Sequence, residues 1–229
     1  MGKRGPAPRK LISIKWSPEL AYAVGLIATD GCLSGDGRHI DFTSKDEDLV
    51  LTFRKCLGLK NKVGRKTSGY THSNAYFRVQ FGDVNFYSWL VGIGLSPHKS
   101  KTIGALKVPK SFFFDFLRGL FDGDGSIYSF WDPRWHSSYM FYIQFASASP
   151  PHLEWLQSKI YALAKVAGKI RVSGRVYQLV YAKQSTYILF RRMFYANGLP
   201  CLKRKYIKAR EIFRIDMNHN KASPGVGTW

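Results

Sequence analysis

The sequence predicts an α+β protein built from two pseudo-symmetric halves, each running helix, two strands, helix, two strands, helix. Two apolar stretches with an internal glycine, both ending in Asp-Gly, stand 94 residues apart: Ala23-Val24-Gly25-Leu26-Ile27-Ala28-Thr29-Asp30-Gly31 and Leu117-Arg118-Gly119-Leu120-Phe121-Asp122-Gly123-Asp124-Gly125. Hairpin patterns follow each of them. Each half then closes on a basic connector, Gly94–Lys101 in the first and Asn197–Lys205 in the second, with Leu95 and Leu199 104 residues apart. The extra ten residues lie mainly in a longer hairpin loop around Trp131–Trp135. A repeat of about 100 residues is too long for a solenoid unit and fits duplication of a domain.

The boundaries follow from local signals. Residues 1–16 are basic with Pro6 and Pro8, and read as an arm. Residues 17–108 form the first repeat, 109–216 the second and 217–229 a flexible tail. Ser17-Pro18 marks a helix start, with serine as N-cap and proline in the first turn; that helix runs to about Asp30. A hairpin turns at Gly35-Asp36-Gly37, since Asp-Gly between short strands is a strong hairpin signal. A helix spans about Asp46–Leu59, and a second hairpin about Asn61–Phe81. The last strand of that hairpin alternates Phe77, Val79 and Phe81 with Tyr76, Arg78 and Gln80. Helix Val84–Gly92 ends the half. The second half repeats the series: helix Ser111–Asp124, a hairpin returning over Tyr139–Ala146, helix Leu153–Val166, strands Lys169–Ser173 and Val176–Tyr181, and helix Thr186–Ala196. A last helix covers about Lys205–Phe213.

Charge limits the partners. Lysine and arginine total 35 against 15 acidic residues, a formal +20, with 15% aromatic residues. Such an excess repels itself and implies a polyanion; the aromatic content points to a folded nucleic-acid binder. No run approaches a membrane span, and no signal-peptide core is visible. Three scattered cysteines form neither a disulfide framework nor a zinc knuckle. Asn218-His219-Asn220 stands alone in a polar tail and carries little weight.

The two glycine-bearing stretches carry the chemistry. An internal glycine costs a helix about 1 kcal/mol relative to alanine, so its presence in both copies requires a packing reason. The simplest is that the two helices touch, with Gly25 and Gly119 at the domain interface. Asp30 and Asp124 then reach the same end of the pair, where two carboxylates form the hard, oxygen-rich site that Mg²⁺ prefers.

With these motifs, their order and their connectors, the chain resembles the LAGLIDADG homing endonucleases in the single-chain form with two motif copies, from Ser17 to about Phe213. The second motif is close to the family pattern. The first has Ala28 where the family often has aspartate, but keeps the final acidic residue as Asp30. The resemblance implies motif helices at the interface and curved four-stranded sheets in the major groove of double-stranded DNA. It implies Asp30 and Asp124 as ligands of two or three Mg²⁺ ions, with the carbonyls of Thr29 and Gly123, and scission of both strands across the minor groove with short 3′ overhangs. Mn²⁺ is expected to substitute, and Ca²⁺ to support binding without cleavage. Matching the connectors assigns Lys99 and Lys203 to the scissile phosphates, with Lys101 and Lys205 as near alternatives. Ser44 and Ser147 fall where the family orders water, though a helix-capping role fits them better.

Base reading is expected from outward side chains of the strands, since arginine and glutamine match guanine and adenine edges. The candidates are Arg38, Lys62, Lys66, Tyr76, Arg78 and Gln80 in the first half. In the second half they are Arg134, Tyr142, Gln144, Lys169, Arg171, Arg175 and Gln178. The loop residues Trp131, Pro133 and Trp135 either pack on the sheet or clamp the DNA edge. The expected protein is an intracellular monomer acting with its DNA target, without an obligate protein partner. Its rivals are an intron-RNA maturase on the same fold and a non-cleaving DNA-binding regulator. Retention of both aspartates favours the nuclease.

Overall fold

The computed structural model describes residues 12–68, 71–135 and 138–222. At its centre lie α1 (Pro18–Asp30) and α4 (Phe113–Asp122). The Ser17 hydroxyl caps α1 by accepting from the Leu20 amide at 3.1 Å, and Pro18 occupies the first turn. Every residue of α1 from Leu20 to Ala28 is buried. A helix apolar on all sides belongs in the middle of a core, and here α4 covers one of those sides.

The crossing of the two helices is set by glycine. A Cβ on Gly25 would fall 2.3 Å from the Phe116 carbonyl oxygen and 2.9 Å from the Gly119 Cα. A Cβ on Gly119 would fall 2.2 Å from the Tyr22 carbonyl oxygen. The backbones therefore touch, as the repeated glycine predicts.

Each motif helix feeds a four-stranded antiparallel sheet. The first holds β1 (Gly31–Leu33), β2 (His39–Ser44), β3 (Gly64–Ser68) and β4 (Thr71–Gly82) in the order β1-β2-β4-β3. The second holds β5 (Ser126–Trp131), β6 (Tyr139–Ser147), β7 (Lys169–Ser173) and β8 (Val176–Ala182) in the order β5-β6-β8-β7. The identical order is the structural signature of the duplication. Helices α2 (Glu47–Cys56) and α3 (Val84–Gly92) back the first sheet, and α5 (Pro150–Ala164) and α6 (Lys183–Met193) back the second. Alternation holds: Val79 and Phe81 are buried on the helix side, while Gln80 faces solvent.

Helices α4, α5 and α6 differ from the expected ranges by two or three residues at each end, and two boundaries carry structural consequences. The last helix, α7 (Lys203–Ala222), continues nine residues past Phe213 into the stretch expected to be tail. No glycine or proline interrupts residues 214–222, and the helix is anchored by Tyr187 stacking on Phe213 at 4.3 Å and by Lys183 pairing with Asp216 at 3.5 Å. The arm gives way to packed chain at Ile12, whose amide donates to Asp83 at 3.1 Å, and Trp16 lies 4.9 Å from Trp89. Residues 1–11 and 223–229 lie outside the described residues. Among the described residues no helix is long and apolar enough to cross a membrane.

A methyl group at the glycine crossing forces the helices apart. Gly25→Ala and Gly119→Ala are each expected to lower stability by about 1–3 kcal/mol or more, as overpacked cores do. Urea unfolding measures this, and an unchanged midpoint in both variants would contradict the contact.

Candidate functional site

Both motif helices end at the same place. Asp30 is the last residue of α1, while α4 stops at Asp122 and the chain turns through Gly123 into Asp124. A Cβ on Gly123 would fall 2.0 Å from Thr29 Oγ1 and 3.0 Å from Asp30 Oδ2. The glycine thus lets the second motif's turn lie directly against the end of the first. The Asp30 carboxyl is pushed up to about 6 by desolvation and then by the charge of Asp124. Asp124 is raised by desolvation as well. Lys205 and Lys99 pull both back down.

Each aspartate opens into its own cleft. Asp30 shares one with Ser44, Lys45, Asp46, Tyr76 and Arg204. Asp124 shares the other with Thr29, Ser100, Ser147 and His152. Ser44 Oγ accepts from the Asp46 amide at 3.2 Å, and Ser147 Oγ accepts from the Ser149 amide at 3.1 Å. Both serines therefore hold the turn into a helix, two residues short of the N-cap itself.

The lysine pairing needs correcting. Lys203 is exposed on the first turn of α7, and Lys205 takes the inner position. Lys205 Nζ donates to the carbonyls of Phe121 (2.7 Å), Asp122 (2.8 Å), Gly123 (2.9 Å) and Gly125 (2.6 Å). Its first-half counterpart is Lys99, buried, with Nζ donating to the Gly31 carbonyl. Gly31 and Gly125 are equivalent, so the true spacing of the connectors is 106 residues. Burial agrees: Lys99, Ile103 and Leu106 correspond to Lys205, Ala209 and Ile212. Matching Leu95 to Leu199 set the register two residues short. Burial lowers both ammonium groups, Lys205 to about 8, against the opposing pull of Asp122, Asp30 and Asp124 on Lys205. The carbonyl of Gly123, expected as a ligand, already accepts from this lysine.

Asp122, adjoining the site, is buried. Its Oδ2 accepts from the Tyr22 hydroxyl at 2.8 Å and from the Leu202 amide at 2.7 Å, fastening the second connector to both motif helices. The first motif has Ala28 at the equivalent position. Arg118, fully buried, donates to Asp115 at 2.8 Å and to the carbonyls of Met193 and Pro200 at 2.6 and 2.9 Å.

The sheets divide the base-reading candidates. On the open face of the first sheet, Lys66 opposes Tyr76, Gln80 opposes Asp41, and Arg78 opposes Thr43. Arg78 is not free: Asp41 holds it at 2.6 Å. The second open face carries Tyr142, Gln144, Lys169, Arg171 and Gln178. Arg171 donates to Gln178 (3.2 Å), Tyr128 (3.1 Å) and Gln144 (3.4 Å). Arg38, Lys62, Arg134 and Arg175 lie off the strands, in turns and connectors. Arg134 folds back onto Asp132 at 2.9 Å. Trp131 rests on Tyr139 at 4.9 Å, whereas Trp135 is 70% exposed. Asp41, Tyr22, Asp122 and Arg204 escaped the sequence reading, because burial and ion pairing give them their importance and neither has a local signature.

The sequence matches no family model, and no curated protein is similar to it. Solved structures are similar in fold. The homing endonuclease I-WcaI, solved bound to its DNA recognition sequence, aligns at TM-score 0.59 and 11% identity over 83% of this chain and 88% of its own. The meganuclease I-SmaMI, bound to uncleaveable DNA, aligns at 0.58 and 13% over 88% and 91%. Full-length DUF199/WhiA from Thermatoga maritima aligns at 0.57 and 16% over 96% of this chain and 66% of its own, so the chain spans just under two thirds of WhiA. The protein has the LAGLIDADG fold, with two sheet-bearing halves joined through the motif helices.

Two measurements test this geometry. Lys205→Met leaves four carbonyls without their donor and is expected to cost at least about 2 kcal/mol, while Lys203→Met stays within about 0.5 kcal/mol; equal losses in urea melts would refute the reassignment. The carboxyl of Asp122 is raised from 3.8 to about 6 by burial. The folded state therefore binds this proton more tightly than the unfolded chain does, and the stability it confers is whole below 3.8 and lost as pH rises through about 6. Asp122→Asn removes that titration, so thermal melts at pH 4.5 and 7.5 should show the variant gaining on the parent as pH rises. An identical difference at both values argues against a charged, buried Asp122.

Proposed function

We propose that the protein is a metal-dependent, site-specific DNA endonuclease that cuts both strands of a duplex. The observation that carries this reading is the convergence of Asp30 and Asp124 at one end of the α1–α4 pair, with a cleft beside each. The donor set suits Mg²⁺, which binds through one or two carboxylates and completes its shell with water and phosphate oxygens. Gly123 supports the same reading: a Cβ there would collide with Thr29 Oγ1 at 2.0 Å, so its absence lets the turn that carries Asp124 lie directly against the end of α1. Asp30, Asp124 and the Thr29 carbonyl would hold the ions, and when bound these supply an activated water and neutralise charge on the phosphate.

The chain's own residues have definite tasks. Lys205 spends its donors on the Phe121–Gly125 turn, so it is a positioning residue that holds Asp124 in place and adds positive charge behind the pair. Lys99 does the same for Gly31. Arg204, bidentate on Asp46 at 2.8 and 2.7 Å, fixes a cation at the lip of the Asp30 cleft, where a phosphate can meet it. The open sheet faces would lie along the duplex, and the formal +20 charge would supply salt-dependent affinity. The DNA-bound endonucleases of the same fold support that placement.

A second reading on the same fold is a DNA binder that does not cut. Linearisation of supercoiled plasmid carrying a selected target separates the two. The parent is expected to cut both strands with Mg²⁺, and Asp30→Asn and Asp124→Asn are each expected to lower the rate at least a hundredfold while retaining binding in Ca²⁺. A parent that binds its target and never cuts it would establish the second reading.

A further inference from the structure

The open faces of the two sheets differ in chemistry. The first is polar, with Asp41, Thr43, Lys66, Tyr76, Arg78 and Gln80. The second carries a stack of aromatic rings. Tyr142 stacks with Tyr128, at 5.4 Å and 20°, and with Phe130, at 6.0 Å and 13°. Phe130, at the end of the stack, is 43% exposed, with Met140 opposite it. The aliphatic residues Val180 and Ala146 extend the apolar character of the same face toward β7. An exposed apolar patch within an otherwise basic surface marks contact with something apolar.

On the duplex-binding function proposed above, the choice of ligand is narrow. Among the groups that signal base identity in the major groove, the C5-methyl of thymine is the apolar one, and the others are hydrogen-bond donors or acceptors. We propose that the second sheet reads thymine by apolar contact, with Phe130 as the specificity-determining residue and Tyr142 as its support. Phe130 stands four residues along β5 from Ser126, which follows the motif turn. At about 3.3 Å per residue this places it roughly 13 Å out from the Asp124 end of the sheet, some four base-pair steps at 3.4 Å each. Splayed bases of a single strand are the competing ligand. They need free ring faces, but here Tyr142 stacks with both Tyr128 and Phe130, and the Tyr128 hydroxyl is engaged by Arg171 at 3.1 Å. Phe130, exposed beside these rings and carrying no hydrogen-bonding group, suits a methyl group.

Deoxyuridine supplies the test, because it differs from thymidine only by the methyl. A target is first selected from a randomised duplex library with the full chain, and each thymine in it is then replaced singly by deoxyuridine. One replacement, in one half of the target, is expected to weaken binding by about fourfold, the worth of one buried methyl group. Phe130→Ala should bind the two duplexes equally and keep its affinity for the other half's variants. Tyr76→Ala, on the first sheet, should preserve the thymine preference. A target indifferent to every deoxyuridine, or a preference undiminished in Phe130→Ala, overturns this inference and leaves the nuclease reading intact. Tighter binding to single-stranded oligothymidine than to the duplex would make the stack a base platform and overturn it too. A library that returns no preferred sequence removes the duplex-reading function and this inference together.

Discussion

Backbone contact between α1 and α4 at Gly25 and Gly119 is the constraint on which the other features depend. A glycine in the middle of a helix weakens that helix, and two of them facing each other would be a poor use of sequence if the helices were merely neighbours. A Cβ at Gly25 would lie 2.9 Å from the Gly119 Cα and one at Gly119 2.2 Å from the Tyr22 carbonyl oxygen, so a side chain at either site forces the helices apart. Close approach brings both helix ends to one level. From there the chain enters β1 on one side and β5 on the other, so a single crossing fixes the separation of the aspartates and the relation of the two sheets.

Bringing two carboxylates together under partial cover is electrostatically unfavourable, and the neighbourhood is arranged around that cost. Desolvation and mutual repulsion raise Asp30, and the adjoining Asp122 is raised by burial. Lys99 and Lys205 sit behind the pair, buried themselves and lowered by that burial. Neither lysine is satisfied by a carboxylate. Both spend their protons on backbone carbonyls at the strand starts, which leaves the aspartate oxygens open to the cleft. A direct lysine–aspartate ion pair would be more stable and would close the site. Such strain is common where a group's charge must be available to a ligand.

The sequence made most of the architecture legible, for reasons that can be stated residue by residue. Period-two alternation in β4 placed Tyr76, Arg78 and Gln80 on one face, because the other face had Phe77, Val79 and Phe81 to bury. Ser17-Pro18 fixed the start of α1 through capping chemistry that is local. The repeated glycine announced a contact because nothing local explains it. The inner lysine was obscured because the connectors differ by two residues in length, and only burial shows that Lys205 matches Lys99. The clamp of Asp41 on Arg78 was obscured because a diagonal pair across two strands depends on register. The extension of α7 was obscured because Asn218 and Asn220 suggest a tail, whereas the tertiary contacts of Phe213 and Asp216 outweigh weak helix propensity.

Duplication within one chain has a consequence that assembly of two identical chains lacks. A symmetric dimer presents the same side chains to both halves of a duplex, and its target mirrors that symmetry. Here the order of strands is the same in both halves while the side chains have diverged. The Asp30 cleft is edged by the Asp46–Arg204 ion pair, whereas the Asp124 cleft is edged by Ser100, Ser147 and His152, none of them ion-paired there. One sheet face is polar and clamped by Asp41; the other is a ring stack beside Arg171. The symmetric elements are those that hold the backbone at the crossing: the glycines, the final aspartates and the buried lysines. The asymmetric elements include the side chains that face outward, together with the buried Asp122 and Arg118, which stand opposite Ala28 and Val24 of the first motif. The two halves thus share what sets the helix crossing, while the surfaces they offer to a ligand differ.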